Sequence, residues 1–115
     1  FDRALAVQPN HRGALLGKAA ALIQLQRYDA AEKVLTHAID FLKNHLDPDD
    51  PTGRGALAAA YGNRGIVHDT QGRYEQALSD YIDSLKIDAE AVRRAAAHSQ
   101  SAISWKVLNG GISRT

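Results

Sequence analysis

The groups in this chain that could do chemistry are few, and their spacing decides what each can do. Asp47, Asp49 and Asp50 stand close to His45. Oxygen ligands of that kind suit a hard cation. Pro48 and Pro51 interrupt the run, and no Glu follows where a calcium loop needs one. The sequence therefore predicts a solvated acidic loop and no metal site. His68 and Asp69 are neighbours, which on a helix sends them to different faces, so they do not form a base with its orienting carboxylate. The other His are scattered, and no Ser lies in a nucleophile-elbow context. With no Cys there is no thiolate, disulfide or Cys-based metal centre. No catalytic residue and no cofactor is expected, and His68 reads as a packing or groove histidine.

Phosphate and nucleic acid fare no better. Gly62 and Gly65 fall within a helical pattern, with no Lys-Ser/Thr pair after a glycine loop. Gly65 is better explained by close helix packing, and Gly62 by room on an exposed face. Arg93 and Arg94 are adjacent, but Arg54, Arg64 and Arg73 are interleaved with acids and make no basic stripe. The formal net charge of +1 gives no pull toward nucleic acid, acidic ligands or a membrane surface. No apolar run approaches the roughly 18 residues of a spanning helix. The missing Cys leaves the compartment open, with the cytoplasm slightly favoured.

The elements that would have to position any site are helices. Residues 1–7 read as the last turns of one, with Phe1, Ala4 and Leu5 on a shared face and Pro9 stopping it. A second helix is expected over 12–25, and a third over 28–44 with Ala31, Val34, Leu35, Ala38, Ile39 and Leu42 at helical spacing. Prolines and aspartates then make a loop. A fourth helix starts near 52 or 54 and ends near 70. After the turn at 71–73, where Gly72 gives a cheap positive φ, a fifth runs over 74–87. Its inward stripe is Ala77, Leu78, Tyr81, Ile82 and Leu85. A sixth is expected over 89–108, closed by Asn109 and two glycines. Nothing alternates at period two, so no sheet is expected.

The helices pair across very short turns, and the pairs repeat. Residues 26–31 (Gln-Arg-Tyr-Asp-Ala-Ala) align with residues 72–77 (Gly-Arg-Tyr-Glu-Gln-Ala). Ala19 then falls on Gly65, Leu22 on His68, Leu35 on Tyr81 and Ala38 on Ser84. This pattern resembles the tetratricopeptide repeat family, a helix–turn–helix unit of about 34 residues. The resemblance implies that small residues on the first helix face alanines on the second, Ala19 with Ala31 and Gly65 with Ala77. It implies that Tyr28 and Tyr74 open the second helices and that Ala38 and Ser84 let the next unit approach. Tyr61 is the large aromatic of one first helix, where the other has Leu15. It further implies an all-α fold of antiparallel helix pairs stacked in a right-handed superhelix. The chain departs from the family by a longer Tyr28–Tyr74 spacing and by Ala89 at the place of a closing proline. The fifth and sixth helices could therefore join without a sharp break.

The organisation expected is the second helix of an incomplete unit (1–11), a unit with a lengthened second helix (12–44), an Asp/Pro loop (45–55), a further unit (56–88), a capping helix (89–109) and a loose tail (110–115). The function implied is a non-catalytic interaction module or scaffold that holds a peptide or helix of another protein in the concave groove. The alternatives are a regulatory or docking arm of a larger enzyme, or an oligomerisation module. Groove positions by the resemblance are Leu16, Ala20 and Ile23 in one unit, Asn63, Ile66, Asp69 and Thr70 in the next, and Arg93 beyond. Some members clamp a C-terminal carboxylate with Lys, Asn and Arg. Leu16 and Ala20 stand where that Lys and Asn belong, so this groove suits a close-packed helix or an apolar segment. Phe1 and Leu5 at one edge and Trp105 at the other are candidates for homodimer contacts. The alternative for Trp105 is that it tucks against the fifth helix.

Overall fold

The computed structural model describes residues 2–7, 11–45, 47 and 50–98, with the backbone alone of 6, 7 and 91–98. It contains five helices: α1 (Asp2–Val7), α2 (Arg12–Gln24), α3 (Tyr28–His45), α4 (Pro51–Thr70) and α5 (Tyr74–His98). No described residue lies in a strand. α2 pairs with α3 and α4 with α5, and α4 also packs on α3 and α2, while α1 rests on α2. Two helix pairs stacked in this way make an all-α repeat solenoid.

The two intra-pair turns are built alike. α2 ends in a Schellman motif, in which Arg27 N–H donates to Leu22 O at 2.8 Å and Gln26 N–H to Ile23 O at 2.9 Å. α4 ends in the same motif, with Arg73 N–H on His68 O at 2.8 Å and Gly72 N–H on Asp69 O at 3.0 Å. The residue that must enter the left-handed region is Gly72 (φ 79°) in one turn and Gln26 (φ 60°) in the other. Each following helix begins at once, its first bond returning to the carbonyl of Arg27 or Arg73.

The starts of α2 and α4 are capped by side chains. His11 Nδ1 accepts from Ala14 N–H at 3.0 Å. Asp50 Oδ1 accepts from Thr52 N–H at 3.1 Å, with Pro51 as the first helical residue. Proline is favoured there because its missing N–H is one that the first turn does not use. Helix α4 thus begins at Pro51, and residues 51–55 are helical. The Asp/Pro loop expected over 45–55 is shorter for that reason. Asp50 is also no free loop carboxylate, because Arg12 Nη1 on α2 reaches its Oδ2 at 3.1 Å. The N–H of Gly53 first, then Arg12, hold its carboxyl below the usual range.

The core is small-residue rich. Ala19, Ala31, Ala38 and Ala60 are wholly buried, with Leu35, Ile39, Leu42, Leu57, Tyr61 and Val67 filling the flanks. Alanines let backbones approach, and the larger residues then close the gaps. Burial of a side chain such as Leu35 contributes roughly 1.5–3 kcal/mol. Gly65 takes this to its limit. A Cβ there would stand 2.6 Å from Tyr81 Cε1 and 2.8 Å from Cδ1, so the ring of Tyr81 lies on the bare backbone of α4.

Two expectations for the last helices are corrected. The separate helix expected from residue 89 is, as far as His98, a continuation of the fifth, joined without the break that Ala89 left open. Without a proline there, the hydrogen-bond ladder has no reason to stop. On this helix Ala77 is buried, but Leu78, Ile82 and Leu85 are exposed and Tyr81 is half-buried. The inward side is set instead by Ala77, Asp80, Tyr81 and Ser84. The sequence pattern cannot distinguish these two faces, because both carry residues at helical spacing.

Candidate functional site

Among the described residues, a surface that could receive a ligand is a trough along α4. Its first hollow, about 750 Å³, is bounded by His11, Arg12, Gly13 and Leu16 of the α2 start, Phe41 of α3, and Thr52, Gly55, Ala56 and Ala59 of α4. The second, about 440 Å³, runs on past Ala58, Gly62, Asn63 and Ile66 to Tyr81, Ser84 and Asp88 of α5. Gly55 and Ala59 line both, so the hollows are continuous. Gly55, Ala59, Gly62 and Ile66 recur at helical intervals, so one face of α4 is the floor. No side chain fills the space above Gly55, where an added Cβ would meet nothing within 4 Å.

Of the groove positions expected from sequence, Leu16, Asn63 and Ile66 line this trough. Ile66 is 45% exposed and offers apolar surface to a partner. Ile23 instead packs against the core cluster, and Ala20 is exposed outside both hollows. Thr70 Oγ1 donates to Ile66 O at 2.8 Å, which spends its hydroxyl on its own helix. Asp69 is exposed and hydrogen bonds to Tyr81, whose phenol is raised above its usual value by burial first and by Asp69 next. Arg93 lies on α5, its side chain outside the described set. Leu5 is half-buried on α1, while Phe1 and Trp105 fall outside the described residues. Among the repeat positions, Tyr61 is buried and Tyr28 partly so, but Tyr74 is 68% exposed. Ser84 Oγ donates to Ala58 O at 2.8 Å and so ties α5 to α4 of its own pair.

A polar network behind the trough fixes how the two pairs meet. Asp80 of α5, buried at 3% exposure, accepts two bonds from Arg64 of α4, Nη2 at 2.8 Å and Nε at 3.0 Å. This bidentate contact raises the guanidinium above its ordinary value. Arg64 also reaches Thr36 Oγ1 of α3 at 3.3 Å and lies over the Tyr61 ring. His68 is buried, with Nδ1 2.8 Å from Asp80 Oδ2 and Nε2 3.0 Å from Glu32 Oε2 of α3. Glu32 is held in turn by Arg73 Nη1 at 3.2 Å, and Gln71 Nε2 donates to Asp29 at 2.9 Å.

Base and carboxylate at 2.8 Å form the geometry of a general base with its orienting partner. Here the second ring nitrogen is taken by Glu32, and the ring is buried. Both nitrogens are engaged by carboxylates of other helices, so the network ties α3, α4 and α5 together. Sequence reasoning missed Asp80 because an acidic residue at helical spacing reads as solvated. The available signal was its position, three residues after Ala77 on the inward face. Among the described residues no group of three or more potential ligands is placed to hold a metal, and no helix is long and apolar enough to cross a membrane.

The family model for the tetratricopeptide repeat matches residues 11–90, which takes in α2, α3, α4 and most of α5. No curated protein and no solved structure matches the chain.

Proposed function

The chain belongs to the tetratricopeptide repeat family, and from that premise we propose that it holds a peptide or a helix of a partner protein in the trough along α4. The family consists generally of protein-interaction modules. The observation that carries the reading is the continuous hollow floored by Gly55, Ala59 and Gly62. Small floor residues let a backbone approach closely, and Leu16 and Ile66 give it apolar contact. Binding is by shape, and no bond is made or broken.

The test uses peptides selected from a random library against the intact chain, with affinity measured by calorimetry. Ala59→Arg puts a long side chain into the middle of the trough from an exposed position, so the helical fold survives. Selected peptides should lose at least about tenfold in affinity, roughly 1.4 kcal/mol, with the melting temperature unchanged. Peptides that bind the variant as well as the parent would place the binding surface elsewhere.

A further inference from the structure

Residues 89–98, expected to open a separate capping helix, instead prolong α5. They lie beyond its first half along the same axis and cannot cover it. Tyr74, Leu78, Ile82 and Leu85 are left 68, 60, 42 and 67% exposed. Their intervals of four, four and three residues put them on one face, in a stripe about 16 Å long at the helical rise. An exposed apolar stripe with a polar border marks a contact surface. Its border carries Glu75 and Lys86, both exposed, and neither takes part in an ion pair among the described residues.

We propose that this face binds a second copy of the chain, α5 against α5, antiparallel about a twofold axis. With Leu78 opposite Ile82 of the copy, Glu75 comes within one residue, about 1.5 Å along the axis, of the copy's Lys86. An antiparallel pair sets the same flank of both helices side by side, so the twofold repeats this contact with the roles exchanged. The stripe is self-complementary in charge as well as in apolar character. A twofold contact also closes on itself and leaves no stripe free for further growth. The patch is small beside the roughly 1,000 Å² of a durable interface, so the dimer is weak and concentration-dependent.

Sedimentation velocity on the full chain at about 10 and 200 μM tests this, since association shifts with concentration by mass action. The mass should approach that of a dimer at the higher concentration. Leu78→Glu and Leu85→Glu should keep the chain monomeric at both, with unchanged helical circular dichroism. Glu75→Lys should weaken the dimer about tenfold, and Glu75→Lys combined with Lys86→Glu should restore it. A parent chain monomeric at the higher concentration overturns the proposal. So does a dimer that survives Leu78→Glu, or a double charge exchange that does not restore association. The single Trp, Trp105, reports the rival occupant. A monomeric parent whose Trp emission shifts on Leu78→Glu has its own C-terminal segment on the stripe, and the second-copy assignment fails. Ala59→Arg should leave the dimer intact, so this result stands or falls separately from peptide binding in the trough.

Discussion

Setting α2–α3 beside α4–α5 in the register that puts Tyr28 on Tyr74 brings out a contrast between two interiors. Leu22, Lys18 and Val34 of the first pair correspond to His68, Arg64 and Asp80 of the second. In the first, Leu22 is buried and Val34 half-buried against the apolar cluster. In the second, the same places hold a buried carboxylate that grips Arg64 and His68. The turns repeat the contrast, with Gln26 in one and Gly72 in the other at nearly the same positive φ. One backbone arrangement thus tolerates an oily filling and an ionic one. The ionic filling also does something the oily one does not, because His68 and Arg64 extend to Glu32 and Thr36 of the neighbouring pair.

The largest effect expected is on the ionic side. Asp80→Ala removes the partner of the buried His68 and the partly buried Arg64, and breaking a buried pair costs about 3–5 kcal/mol. Chemical denaturation should show that loss. Importing the first pair's solution, His68→Leu with Asp80→Val and Arg64→Lys, should cost far less than Asp80→Ala alone, since apolar replacement of a whole buried ion cluster is often neutral. A triple variant as unstable as the single one would mean that the two interiors are not interchangeable.

Next comes the contact of the small residues. Ala19 already carries a Cβ, whereas a Cβ at Gly65 meets Tyr81 at 2.6 Å. Gly65→Leu should therefore destabilise by about 2–4 kcal/mol, read as a fall in the thermal midpoint. A midpoint within about 2 °C of the parent would correspond to well under 1 kcal/mol and would contradict the ring placement.

The turns give a smaller pair of opposite changes. Gln26→Gly should stabilise and Gly72→Gln should destabilise, each by about 1 kcal/mol, because only glycine takes the left-handed region without steric cost. Equal signs would show that the turns are not equivalent.

The smallest effects are in pH. Asp50 has a folded value below that of the unfolded chain, owing to the Gly53 N–H and Arg12. Its contribution is complete above the unfolded carboxylate range and fades as pH falls through the folded value. Asp50→Asn should flatten the acid limb of a stability profile. Tyr81 is shifted the other way, by burial and Asp69. Its contribution is present below the unfolded phenol's value and is lost as pH rises through the folded one. Tyr81→Phe should flatten the alkaline limb and leave the acid limb alone.

The helix pairs and the turns were legible in the sequence, because each follows from local rules of period and turn chemistry, and Gly65 was marked as a close approach, though the group nearest its backbone is the Tyr81 ring. The start of α4 was misplaced because Pro51 reads as a breaker unless Asp50 is recognised as its cap. The inward face of α5 was misread for a different reason. Leu78, Ile82 and Leu85 look like core by type, and only the three-dimensional arrangement shows Asp80 and Ser84 inside while those residues face out. The trough was half legible. Leu16, Asn63 and Ile66 follow from the repeat, but Phe41, Gly55 and Asp88 enter from parts of the chain that no repeat position marks.

The junction between the pairs has a mechanical meaning. Within each pair, a turn of a few residues and a packed small-residue seam make a stiff hairpin. Between the pairs the chain crosses residues 46–50, and polar contacts at both ends of the joint support it: Arg12 with Asp50 at one, His68 and Arg73 with Glu32 at the other. Such contacts reach only a few ångströms and weaken with ionic strength where water touches them. Pulled from its ends, the protein should behave as two rigid rods held by these polar contacts and by the apolar packing of α4 on α3 and α2, and the polar share should give way at the smaller extension. Added salt should soften that share while leaving the rods unchanged.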